Sequence, residues 1–155
     1  MIVGLHAHMA DLKSEKIASS LRDVLAVLGE RLNGDYGGVM EHLWIDFELV
    51  EKLAKPDGKP KYQFRFAKRV SGRSSFGLPP SPDYFNVGHF SVRPDFPILY
   101  SISKEKIIPY CLNLIYNELG HLKAKEKKLG GFDSNMFRNR FYEECSKLGY
   151  QINSN

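Results

Sequence analysis

The hydrophobic period changes along the chain. From Ser14 to Leu32 the apolar residues Ile17, Leu21, Val24, Leu25, Leu28 and Leu32 recur every three or four positions, which predicts an amphipathic helix with one buried stripe. Ser14 is placed to cap its start, and Asn33-Gly34 to supply a left-handed stop. From Val39 to Val50 the period falls to two. Leu43, Ile45, Phe47 and Leu49 alternate with His42, Trp44, Asp46 and Glu48, the pattern of a strand with one core face and one amphipathic face. Lys55–Pro60 is a turn-rich connection. Lys61–Val70 alternates again, with Tyr62, Phe64 and Phe66 on the inner face and Lys61, Gln63, Arg65 and Arg69 on the outer.

Three prolines and two glycines between Ser71 and Asp83 predict a loop of about a dozen residues, long enough for a binding role. Tyr84–Arg93 is aromatic and β-branched, as a strand should be. Its parity changes between Phe85 and Val87 on one side and Phe90 and Val92 on the other, so Gly88 marks an expected bulge. Beyond Pro94 and Pro97 the helical period returns. Ile108, Cys111, Leu112, Ile115, Leu119 and Leu122 define a helix capped by Ser103, with Pro109 forcing a kink or a later start. Lys123–Lys128 reads as its solvated last turn, ended by Leu129-Gly130-Gly131. Asp133 caps a last helix carrying Phe137, Phe141, Cys145 and Leu148, closed by Gly149. This order predicts an α+β fold: an N-terminal helix, a three-stranded antiparallel sheet, and two C-terminal helices packed on one sheet face. The expected organisation is a single domain over residues 1–155. Residues 1–8 are read as a flexible N-terminal extension ahead of a start at Met9.

A chain of 155 residues, 43% hydrophobic and 26% charged, has enough length to bury a core without disulfides. Cys111 and Cys145 fall on apolar helix faces and are read as buried free thiols. No run approaches the roughly 20 apolar residues of a membrane span. Met1–His8 lacks the basic start of a secretory signal, and a reducing cytoplasm is the expected location. The net charge of +4 is uneven. Met1–Pro60 holds 7 basic against 10 acidic residues, and Lys61–Asn155 holds 15 against 8. Lys61, Arg65, Lys68, Arg69 and Arg73 run with no acid among them, a stretch able to attract phosphate or an acidic protein.

Several chemistries compete for these residues. His42, Asp46 and Glu48 share a strand face, but zinc needs more convergent ligands than one strand offers. His42 and His89 with Arg65 or Arg93 would suit a ribonuclease as base, acid and phosphate clamp. Imidazoles in sheets are more often structural. No nucleophile elbow, phosphate-binding glycine loop or HExxH motif is present. The aromatics and cations of Lys61–Val70 alternate, so they fall on opposite faces, whereas a base-stacking platform needs them together. Trp44, which shares a face with His42, is the exception. Protein recognition fits Trp44, Arg65, Arg69 and Arg73, whose residue types are enriched in binding hot spots. With two neighbouring strands, Asp46 and Glu48 would lie opposite the cations of Lys61–Val70. His89 and Arg93 complete the expected partner-binding set.

The runs His42–Leu49, Phe66–Arg73, Tyr84–Phe96 and Lys127–Asp133 together resemble a small bacterial immunity protein. The type is the antidote of a contact-dependent growth inhibition or related polymorphic toxin system. The resemblance implies a non-enzymatic cytoplasmic protein, needing no cofactor or metal, that neutralises one cognate protein toxin by binding it. Antidotes to basic nuclease toxins are usually acidic, and this chain is basic. The resemblance therefore implies either that Asp46 and Glu48 meet the toxin or that the toxin surface is itself acidic. The alternative is an RNA-binding protein or small ribonuclease using the basic strand face.

Overall fold

The computed structural model describes residues 1–53, 62–70 and 84–153. Its framework is a four-stranded sheet of β1 (Ile2–His8), β2 (His42–Glu48), β3 (Tyr62–Val70) and β4 (Tyr84–Val92), in the order β1-β2-β4-β3. β1 and β4 flank β2 and run parallel to it, while β3 lies antiparallel to β4 on the far edge. The helices are α1 (Glu15–Leu32), α2 (Phe96–Ser101), α3 (Lys104–Leu119) and α4 (Ser134–Lys147), with short 3-10 turns at Glu51–Leu53 and Gly120–Lys125.

The α+β character is as expected, but the arrangement corrects the predicted N-terminal helix, three-stranded antiparallel sheet and two C-terminal helices. The chain begins with a strand, not an extension. In β1, Val3, Leu5 and Ala7 are buried while Ile2, His6 and His8 are exposed, the alternation of a half-buried strand. A strand joined to its neighbour through a helix crosses over the sheet, so β1-α1-β2 pairs in parallel. β2 is therefore a central strand between β1 and β4, and it does not pair with β3. The cations of β3 thus do not lie opposite Asp46 and Glu48.

The helical layer covers one sheet face. Leu5, Leu43, Ile45, Phe47, Phe90 and Val92 join Leu21, Leu25 and Leu28 of α1, Leu112 and Ile115 of α3, and Phe137 and Phe141 of α4 in one core. Each such side chain stabilises the fold by about 1.5–3 kcal/mol relative to exposure. Cys111 and Cys145 are buried there as free thiols. Burial pushes both thiols up to about 12, because the thiolate cannot be solvated in the core.

Local signals had mixed outcomes. Asp133 caps α4, its side chain accepting from Met136 N at 2.9 Å. Ser14 stands at the α1 N-cap but makes no capping bond. Its hydroxyl donates instead to Leu49 O and to Asp11 Oδ1, tying the start of α1 to the end of β2. Asn33 is not left-handed, with φ −55°, and its Oδ1 accepts from Val3 N at 2.7 Å. α3 starts at Lys104 and runs through Pro109. α2 was not expected. Asp95 caps it by accepting from Ile98 N at 3.2 Å, with Pro97 in its first turn. No bulge interrupts β4, which pairs continuously with β3. Val87 lies on the second sheet face, and Phe90 and Val92 on the core face. The loop expectations at Lys55–Pro60 and Ser71–Asp83 lie outside the described residues.

Candidate functional site

The second sheet face is covered by no described helix, and it collects most of the chemistry. The register places four residues in a row across the sheet: Gly4, Trp44, His89 and Arg65. The next row is His6, Asp46, Ser91 and Gln63. His8 lies beside Glu48, and His42 beside Val87. Four of the five histidines therefore share this face.

Two ion pairs bridge β2 and the β4 side of this face. His89 Nε2 meets Asp46 Oδ2, and Arg93 Nη2 donates to Glu48 Oε2 at 2.8 Å. Both pairs follow from the parallel β2–β4 ladder: Glu48 and Arg93 lie side by side just past the Phe47–Val92 pair, whereas His89, opposite Trp44, reaches Asp46 diagonally on the same face. Asp46 is 8% exposed, so its pairing matters energetically. Rings gather around Trp44. His42 stacks on the indole with centroids 5.6 Å apart, and His6 is tilted against it at 5.9 Å. Gly4 leaves the space the indole fills. Arg65 and Gln63 are exposed at the β3 side.

Of the expected partner-binding set, this face unites Trp44, Asp46, Glu48, His89, Arg93 and Arg65. Arg73 lies outside the described residues. Of Arg69 only the backbone, in β3, is described, so its side chain also lies outside them. His6 and His8 were missed because β1 was not recognised as a strand. Among the described residues no group of three or more His, Cys, Asp or Glu side chains is placed to hold a metal. In the His42, Asp46 and Glu48 trio, both carboxylates are engaged by His89 and Arg93.

A separate polar centre lies at the β1–α1 turn. Asp11 accepts from the Ser14 hydroxyl and from Glu51 N, which holds its carboxyl below the usual range. A cavity of about 780 Å³ beside it is lined by Asp11, Lys13, Glu15, Glu51 and Lys52. None of Trp44, Asp46, Glu48, His89 or Arg93 lines this cavity, the crevice between β1 and α1, or the one at the C-terminal segment. Among the described residues no helix is long and apolar enough to cross a membrane.

No protein-family model, curated protein or solved structure gives a significant match to this chain.

Proposed function

We propose that this chain is a non-enzymatic immunity protein that neutralises a cognate bacterial toxin in the cytoplasm, binding it through the second sheet face. The supporting observation is that the charges at the centre of this face are already matched within the chain, around a single tryptophan. A surface of that kind suits a protein partner. Trp and Arg supply anchors. Charges matched within the chain leave little net charge at the centre of the face to attract a polyanion. The resemblance of the sequence to immunity proteins supplies the partner class.

The runner-up is an RNA-binding protein or small ribonuclease. One observation favours it: Trp44, His89 and Arg65 share a row, so a ring, an imidazole and a guanidinium lie on one face.

Co-expression tests the first reading. The probe is the C-terminal domain of a secreted toxin encoded immediately upstream, with growth and co-purification as readouts. Protection with a stoichiometric complex is expected, and Trp44→Ala should weaken both. Absence of protection, or ribonuclease activity of the purified chain that His89→Gln abolishes, overturns it.

A further inference from the structure

The two edges of the sheet are treated differently. At the β1 edge the outward backbone groups are occupied. Val3 N donates to Asn33 Oδ1, and Ala7 O accepts from Arg22 Nε at 3.4 Å. A Cβ on Gly29 of α1 would stand 3.1 Å from Val3 O and 3.4 Å from Leu5 N, so the helix lies close along that edge. Such cover is how proteins block unwanted strand pairing.

The β3 edge has no such cover among the described residues. Asn86 O accepts from Glu41 N ahead of β2. Backbone groups alternate sides along a strand, so those of Val87, His89 and Ser91 turn to β3. Their partners Ala67, Arg65 and Gln63 turn back to β4. The N–H and C=O groups of Phe64 and Phe66 therefore point to the free edge. Phe64 and Phe66 are only partly buried against the core, which leaves apolar surface beside those groups, while the Tyr62 ring is stacked by His121 at 3.8 Å between centroids. Arg65 is exposed on the other face and makes no ion pair among the described residues.

We propose that the free edge of β3 is a strand-addition site for an extended, acidic segment of the protein partner. This rests on the reading of the sheet as a protein-binding surface and names the partner's chemistry. Charge selects the occupant. Among the described side chains of β3 the charged group is the exposed Arg65, with no acid beside it, so a second copy pairing through the same edge would set like charges against each other. Cross-strand like charges destabilise a pairing and opposite charges support it. An added strand with alternating acids would extend the Trp44–His89–Arg65 row by one carboxylate. Its intervening apolar side chains would cover Phe64 and Phe66. Backbone bonds to Phe64 and Phe66 would supply affinity, and the side-chain alternation specificity.

The test uses the full chain and a short capped peptide alternating glutamate with valine, with a lysine–valine peptide as its counterpart. The acidic peptide is expected to slow amide hydrogen exchange at Phe64 and Phe66 by about tenfold or more, while the lysine peptide does not. Arg65→Glu should reverse the preference, each affinity shifting by about three- to tenfold. N-methylating the peptide backbone on its β3-facing residues should abolish binding. Absence of binding at millimolar peptide, equal binding of both peptides, or binding without protection at Phe64 and Phe66 overturns the proposal. A cognate toxin that perturbs Trp44 emission yet leaves those amides unprotected overturns the strand-addition site and leaves the face reading intact.

Discussion

Trp44 occupies the space above Gly4. A Cβ placed on Gly4 would overlap Cε3 and Cζ3 of the indole, and the two residues face each other across the β1–β2 ladder. The glycine is thus a receptor for the ring. Gly4→Ala is expected to displace the indole from its stack with His42 and shift its fluorescence emission. The loss of packing should destabilise the fold by about 1–3 kcal/mol. That exceeds the gain of about 0.4–1 kcal/mol that a Gly→Ala change brings through the unfolded chain. Denaturant unfolding with Trp44 emission reads both. Unchanged emission and stability would show that the ring has no fixed seat.

Asp46 and His89 predict an asymmetric pair of mutants. Asp46 is buried, and His89 is its ring partner across the β2–β4 ladder. Asp46→Ala leaves a half-buried imidazole without its acceptor, which should cost about 1–3 kcal/mol in urea unfolding. His89→Gln keeps a donor near the carboxylate and should cost less than about 1 kcal/mol. Protection against toxin should stay within a few-fold for His89→Gln. Complete loss of function in a folded His89→Gln protein would instead point to catalysis.

These relationships mark what the sequence made legible. The alternation in Val39–Val50 and Lys61–Val70 correctly sorted Leu43, Ile45 and Phe47 from Trp44 and Glu48, and Phe64 from Arg65, because period-two burial is a local property. Strand order is not local. It depends on β1, whose Val3, Leu5 and Ala7 did alternate with polar or small residues. Seven residues are too few for that alternation to separate a strand from an extension by pattern alone. Once β1 is counted, the strand–helix–strand unit requires a parallel neighbour, and β4 rather than β3 meets Asp46 and Glu48. The half-site Trp44, Asp46 and Glu48 was legible from one strand, whereas its pairing with His89 and Arg93 needed the sheet order. α2 was missed although Asp95 and Pro97 carried a cap-and-first-turn signal, because its six residues are too few to show a period.

The two thiols predict a pH dependence. Both are raised by burial from 9.0 to about 12, so the folded state holds the neutral form while the unfolded state ionises first. Stability from this source is present below pH 9.0 and is lost as pH rises toward about 12. In the wild type, unfolding free energy should fall over that window more steeply than in a Cys111→Ala, Cys145→Ala double variant. The same burial predicts that a thiol reagent reacts at the rate of unfolding rather than at the rate of free cysteine. Fast reaction with the native chain, or parallel pH profiles of the two proteins, would contradict it.

Salt separates protein binding from RNA binding. Binding to single-stranded RNA releases counterions, so affinity should fall by about 0.7 logarithmic units per phosphate contact for each tenfold rise in salt. A protein partner held by desolvated anchors would show its salt dependence mainly in the association rate. The face carries features of both. Trp44, His89 and Arg65 form a row that could stack a base and meet a phosphate, but Asp46 and Glu48 follow Trp44 on its own strand and the same face. Their cations His89 and Arg93 are already engaged, so a phosphate at the centre would compete with carboxylates for them. Arg65, at the β3 side, is the guanidinium of these rows that no carboxylate among the described residues engages. We therefore expect only weak, salt-labile association of labelled single-stranded RNA in about 150 mM salt, where charges beyond roughly 8 Å are screened. Arg65→Ala should remove little from so weak a complex. A sub-micromolar RNA complex that Arg65→Ala weakens in a folded protein would sink the immunity reading and make the Trp44–His89–Arg65 row a nucleic-acid platform.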